Sequence, residues 1–399
     1  MRTRIGRIAL AAVLVLGGPA GLATAGTSDS AVGNWAGTWE AAPASGQDNT
    51  GDGFPNFSIR NVVHTSVGGG KARIRLSNRY GTSPITFGHV TIGVQARVGT
   101  ADAASTVTVK FQGQVSTTVA AGADIVSDPV PLRVPSNSNL LVTTYVPTPS
   151  GPATYHPLAM QTSYFTRDGD HTADTWGTAF TEKTTSWYYV TGVDVLNSVS
   201  QGTVVTLGDS ITDGYGSTPD ANHRWPNYLS ERLGQRLGVD DAGISANRLL
   251  LDGGAGGEAA TKRLDEDVLS RTNVHSMIVL LGVNDIQQEP HQLDPTKIEG
   301  ALQDIAQRAH ARGIRTVAST ILPFKGWGAW TPQLESVRQA VNDWIRTSHV
   351  YDTVVDFDQV TRDPADPQRM LPKYDCGDHL HPGDAGYQVM ANAVDLNSL

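Results

Sequence analysis

Cysteine is almost absent: Cys376 is the only one in 399 residues, so no disulfide can form within the chain. Stability must then come from buried apolar surface, which a chain of this length can supply. Long apolar runs are absent too. None approaches the roughly 18 consecutive apolar residues of a membrane-spanning helix, so no stable membrane insertion is expected. Cations are in deficit, with 30 Lys and Arg against 39 Asp and Glu and a formal net charge of −9. Binding to nucleic acid or to an anionic membrane needs clustered cations that displace counterions, and neither partner is expected. No His-Glu-x-x-His pattern occurs and the lone cysteine has no partner, which argues against a metal site. Gly253-Gly254-Ala255-Gly256-Gly257 lacks the Lys-Ser/Thr of a phosphate-binding loop and reads as a flexible segment. Gly-x-Ser-x-Gly is missing as well: Gly208-Asp209-Ser210 continues as Ile211-Thr212, and Gly243-Ile244-Ser245 as Ala246-Asn247. That excludes the nucleophile elbow of the α/β-hydrolases.

What is present begins with a leader. Arg2, Arg4 and Arg7 precede an apolar run at 8–16 and the small-x-small site Ala23-Thr24-Ala25. This order predicts a secretory signal peptide over residues 1–25 and a secreted, soluble mature chain from near Gly26. Without those three arginines the formal net charge moves from −9 to −12.

Periodicity changes near residue 200, which predicts a β-rich domain over 26–200 and a second domain over 201–399. In the first part Ile74 and Leu76 alternate with Arg73, Arg75 and Ser77, and Val107, Val109 and Phe111 with Thr108 and Lys110. With further runs at 59–63, 85–94, 140–146 and 187–195 between Gly, Pro, Asn and Ser clusters, the pattern is that of a β-sandwich or jelly roll. After 197–201, strands at 204–207, 277–281, 316–321 and 354–357 alternate with helices. One follows Pro226 with Leu229, Leu233 and Leu237 on a face. A second carries Ile298, Leu302, Ile305 and Ala309 and stops at Gly313; a third carries Leu334, Val337, Val341, Trp344 and Ile345. Such alternation predicts a parallel sheet with helices on both faces, a flavodoxin-like three-layer α/β/α domain. Ligands of open parallel sheets bind beyond the carboxyl ends of the strands, so chemistry is expected just after them.

Four short segments sit there. Ser210 lies in Gly208-Asp209-Ser210-Ile211-Thr212-Asp213-Gly214, where flanking glycines permit a tight strand-to-helix turn. Asp378-His379-Leu380-His381-Pro382 puts a carboxylate and an imidazole three residues apart, where the first can orient the second. His381 is favoured as the base and His379 as a supporting or surface residue. Asn284, in Gly282-Val283-Asn284-Asp285, can supply an amide donor to an oxyanion. Gly243, in Asp241-Ala242-Gly243-Ile244, can bring a backbone N–H close to a substrate.

The four segments, in this order, resemble the blocks of the SGNH hydrolases, also called the GDSL esterase and lipase family, over about residues 203–397. The resemblance implies a serine esterase with Ser210, His381 and Asp378 as its triad. Its oxyanion hole would be built from the N–H groups of Ser210 and Gly243 and the side chain of Asn284. Asp241 stands where the family often has Asn, and is expected to shape the loop. The β-rich part is similar to the N-terminal region of secreted actinobacterial members, which opens a carbohydrate-binding or substrate-shaping role. No cofactor is implied; a monomer acting on a small-molecule or polysaccharide ester is expected. Trp327 and Trp330, after the strand at 316–321, are candidates for an acyl pocket or a sugar platform, with packing under a loop the alternative. Cys376 reads better as a small packing residue than as a redox thiol.

Overall fold

A computed structural model describes residues 34–46, 50–253 and 256–399. The leader, and Gly254 and Ala255 of the glycine-rich segment, lie outside the described residues.

Alternation along the first half folds as read. In the strand Lys71–Ser77, Ala72, Ile74 and Leu76 are buried while Lys71, Arg73 and Arg75 are only partly covered. Four strands pair in the order Asn34–Glu40, Val190–Asn197, Lys71–Ser77, Asp124–Val126, antiparallel throughout. Six more pair as Glu182–Thr184, Ser163–Thr166, Phe57–His64, Asn139–Val146, His89–Val94, Val107–Thr108, again antiparallel. Ala36, Ile74 and Val193 of the first sheet share one core with Ile59, Val90 and Val142 of the second. The expected strand through Phe111 ends at Thr108. Gln112 and Gly113 take positive φ in a turn closed between Phe111 and Gln114, so the alternation there buries side chains without a ladder.

The second half forms a five-stranded sheet, ordered Gly238–Gly243, Thr203–Gly208, Val274–Leu280, Arg315–Ser319, Thr353–Val355. All pairings are parallel. Successive residues feed opposite layers. Val205, Leu207, Met277 and Val279 meet the helices Pro295–His310 and Pro332–Thr347. Val204, Ile278, Leu280 and Val317 meet Trp225–Leu233 and Asp384–Ala393. Pro295–His310 shows how such a helix is specified: the Asp294 side chain caps Thr296 N–H, Pro occupies the first turn, and Ile298, Leu302, Ile305 and Ala309 are buried. Gly313, at φ 72°, lets the chain turn away.

Two features differ from expectation. Leu237 is buried, but beyond the end of its helix at Leu233, where it packs in at the start of the next strand. That strand, Gly238–Gly243, was not anticipated, because Val239-Asp240-Asp241-Ala242 is too acidic to read as a buried strand.

The acidity reflects what covers this edge. The β-rich half lies against it: Ser66 Oγ accepts from Val239 N–H at 2.9 Å, and Gly37 N–H, in the strand Asn34–Glu40, donates to Thr203 Oγ1 at the start of the neighbouring strand at 2.8 Å. A Cβ on Gly37 would fall 2.1 Å from the Asp240 carboxylate, so only glycine permits this approach. Buried ion pairs cross the same seam, Arg271 with Glu40 at 2.6 Å and Arg79 with Asp267 at 2.6 Å. The β-rich and α/β halves are thus packed together through polar as well as apolar groups.

Candidate active site

Parallel register aligns the carboxyl ends of three neighbouring strands, with Gly208 opposite both Gly243 and Leu280. The chain therefore delivers Ser210, Gly243 and Asn284 to one edge. Strand order reverses between Thr203–Gly208 and Val274–Leu280, the crevice where open sheets bind ligands.

Ser210 opens a four-residue helical turn, Ser210–Asp213, capped by Asp209, whose side chain accepts from Ile211 N–H. Both flanking glycines are required. A Cβ on Gly208 would meet Thr212 Oγ1 at 2.0 Å, and Gly214 ends the turn at φ 96°. As the first helical residue, Ser210 has an N–H with no intrahelical acceptor. Its side chain is recessed, the residue being 6% exposed.

Ser210 Oγ lies 2.8 Å from His381 Nε2, and His381 Nδ1 lies 2.7 Å from Asp378 Oδ2. The carboxylate accepts only, so Nδ1 carries the hydrogen and Nε2 is left to accept the serine proton. Asp378 Oδ1 accepts the N–H groups of Leu380 and His381, both at 2.9 Å. Partial burial opposes ionisation, but these bonds and the imidazole outweigh it and hold the carboxyl well below the usual range. His379 makes a separate pair with Asp375 at 2.7 Å and has no bond to Ser210. Tyr215 packs on the His381 ring at 4.4 Å between centroids, and Trp327 meets it edge-on at 6.3 Å. Trp327 is anchored through Nε1 to Gln287 Oε1. Trp330 does not join it: its ring lies under Lys325, and no ring contact links it to His381. The two tryptophans therefore separate, and only Trp327 is placed beside the triad.

Asn284 is held from both ends. Its Oδ1 accepts from Gln287 and Gln288, which fixes the amide's orientation, and one Nδ2 hydrogen goes to Asn247 O at 3.0 Å. Among the described residues no acceptor takes the second hydrogen. Gly243 ends the strand next to the nucleophile's turn. Its missing Cβ makes room for the nucleophile's turn, since a Cβ would fall 2.3 Å from Asp213 N. Its N–H donates to Asp241 Oδ1 at 2.9 Å, and burial pushes that carboxyl up to about 7.

Several residues beneath the site were given no role by the sequence, although Asp285 stands inside the Gly282–Asp285 segment. Fully buried Arg263 donates to Gly208 O, Ala242 O and Asn247 Oδ1, tying together the ends of two strands and the loop that carries Asn247. Asp285 accepts from Leu249 and Leu250 N–H and fixes the same loop from below. His156, from the β-rich half, lies 2.9 Å from Asp213. Arg263 could pass for an exposed helical residue, and His156 sits far from every motif.

Among the described residues, Asp375, Cys376 and Asp378 are close enough to share a metal ion. The set is a poor one. Asp378 is committed to His381, while partial burial and the nearby carboxylates push the Cys376 thiol up to about 11, so little thiolate exists near neutral pH.

Fold and site together have the geometry of a serine hydrolase. Residues 206–389 match the GDSL-like Lipase/Acylhydrolase family. The C-terminal half is a domain of that family, and the protein is a carboxylic ester hydrolase. Solved structures similar to it include a GDSL-like lipase from Bacteroides thetaiotaomicron, 20% identical, covering 47% of this chain and 83% of that one with a TM-score of 0.37. A carbohydrate acetylesterase from Sinorhizobium meliloti is 16% identical, covering 48% and 95% with a TM-score of 0.37. A psychrotrophic esterase from a Pseudoalteromonas species is 18% identical, covering 48% and 93% with a TM-score of 0.35. No curated protein matches the chain.

Proposed function

We propose that the protein hydrolyses small carboxylic esters, acylated carbohydrates or short acyl and aryl esters, through an acyl-enzyme on Ser210. The observation that carries this is the unbroken relay from Ser210 through His381 to Asp378, at 2.8 and 2.7 Å. His381 Nε2 takes the serine proton as Oγ bonds to the acyl carbon, and Asp378 steadies the imidazolium. The carbonyl oxygen gains its charge facing the Ser210 N–H and the free hydrogen of Asn284 Nδ2. When the tetrahedral species collapses, the bond to the alcohol oxygen breaks and His381 returns the proton to it. Water then attacks the acyl-enzyme, giving its proton to His381, and the acid leaves as Ser210 is reprotonated. Gly243 N–H is the third donor of this scheme, and reaching it requires the Asp241 carboxyl to give way. A recessed nucleophile walled by Tyr215 and Trp327 favours a short acyl group over a long lipid chain.

The test is a series of nitrophenyl esters from acetate through octanoate to palmitate, with Ser210→Ala as control. Acetate or butyrate should be turned over fastest, and the variant should be inert. Preference for palmitate would make the protein a lipase; an active Ser210→Ala would end the proposal. Export through the leader and action as a monomer belong to the same proposal. N-terminal sequencing of protein recovered from culture medium and gel filtration test them.

A further inference from the structure

A helical turn of four residues cannot hold its own shape, because helix nucleation costs more than so few hydrogen bonds return. The Ser210–Asp213 turn must therefore be fixed from outside. Asp209 and Arg263 secure its leading end. Its trailing end is secured by the Asp213 carboxylate. Oδ2 accepts from Ser245 N–H at 2.8 Å and Ser245 Oγ at 2.7 Å, just past Gly243. Oδ1 lies 2.9 Å from His156 Nε2.

His156 belongs to the β-rich half, and its ring is committed on both sides. Nδ1 lies 2.8 Å from Ala42 O, while Nε2 faces Asp213 and, at 3.1 Å, Leu158 O. Carbonyls and carboxylates only accept, so both nitrogens must carry hydrogen, and the ring is a buried imidazolium paired with a buried carboxylate. The side chains are each 3% exposed. Burial opposes the charge, but the charge and hydrogen bond of Asp213 and the Ala42 carbonyl outweigh it, so the ring's pKa is raised. Asp241, Arg224, Glu40 and His64 line the same cavity of about 30 Å³, which is too small for an ester substrate. Arg224 binds Asp213 O at 2.8 Å and reaches back to Ala159 O of the β-rich half.

We infer that His156 is a positioning residue for the nucleophile, holding Asp213 where it fixes both the Ser210 turn and the segment following Gly243. The route to the reacting atoms is short. Gly214 and Tyr215 N–H both donate to Ser210 O at 2.9 Å, and the Tyr215 ring packs on His381. Buried pairs of this kind add little stability over an apolar pair of the same volume; here the pair, with Ser245, holds both oxygens of the Asp213 carboxylate in place. On this view the β-rich half completes the catalytic centre. The inference rests on the serine mechanism proposed above.

The test uses the full chain with His156→Gln, Asp213→Asn, the double variant and Ser245→Ala. Each is assayed well below its unfolding temperature for nitrophenyl acetate turnover and for the rate of fluorophosphonate labelling. His156→Gln should lower kcat and labelling rate together by about ten- to a hundred-fold, with KM within about two-fold, as expected when a reacting group is misplaced. The double variant should be no worse than the poorer single one, because both break the same link. Ser245→Ala, which removes only the hydroxyl bond and keeps the backbone one, should lower kcat a few-fold while lowering the melting temperature by only a few degrees. It decides the matter if His156→Gln does not fold. Wild-type kcat in folded His156→Gln, or in Ser245→Ala should the former not fold, overturns the inference, as do losses that multiply in the double variant. Failure of the wild type to label would instead strike the serine mechanism itself.

Discussion

Replacing Asn284 by alanine separates the chemical from the structural use of one side chain. Two hydrogen bonds enter its Oδ1 and one leaves its Nδ2. At about 1 kcal/mol each, their loss should cost about 3 kcal/mol of stability, part of which Gln288 recovers through water. The second Nδ2 hydrogen contributes nothing to the resting protein. If it meets the oxyanion, losing it should lower kcat by about 10²–10³, or about 2.7–4 kcal/mol of transition-state stabilisation. These effects are read by different assays. Urea unfolding reports the first, and steady-state hydrolysis of nitrophenyl acetate at low temperature, where the variant is folded, reports the second. KM should hardly change, because the interaction forms only as charge develops. A stability loss of the stated size with kcat within about three-fold of wild type would refute the oxyanion assignment and leave Asn284 a loop anchor.

Three further outcomes follow from the packing around the site. Burial pushes the Asp209 carboxyl up to about 7, so the folded chain keeps a proton that the unfolded chain releases near pH 4. Stability should therefore decline as pH rises from about 4 to about 7 and level off above; Asp209→Asn, which keeps the cap acceptor, should raise the melting temperature more at about pH 8 than at about pH 5. Equal shifts at the two pH values would contradict this. Arg263→Met leaves the carbonyls of Gly208 and Ala242 without that donor in the interior, and denaturant titration should show a loss of about 3 kcal/mol or more. Gly243→Ala drives a methyl to 2.3 Å from Asp213 N, and should lower both kcat and the melting temperature. A fully active Gly243→Ala enzyme would show that the turn can yield without cost.

Much of this architecture could be read from the sequence because burial imposes a period. Alternation marked the paired strands, and Ile298, Leu302 and Ile305 marked a helix, since each pattern reports which face meets the core. The triad could be read because its members lie in two short local motifs, Ser210 just after a strand of the sheet and Asp378 with His381 just before the last long helix. What escaped depends on contacts between distant residues. The Gly238–Gly243 strand hid because Asp240, whose carboxyl burial pushes up to about 8, is buried only once the β-rich half covers it. Arg263 hid because a buried arginine satisfied by carbonyls looks, in sequence, like any helical surface arginine. Asp213 stood inside a recognised motif, yet its partner His156 is 57 residues away in the other half of the fold. Trp327 and Trp330 are close in sequence, but only the first reaches His381, because Gln287 anchors it and the turn carries the second beneath Lys325.

The central claim is that Ser210 forms a covalent intermediate with His381 as its base. Its most direct test is to treat the protein with a fluorophosphonate, digest it and locate the adduct by mass spectrometry. The account predicts one adduct, on the peptide containing Ser210, absent in Ser210→Ala and formed far more slowly in His381→Ala. An adduct on another serine, or unchanged labelling of either variant, would contradict it.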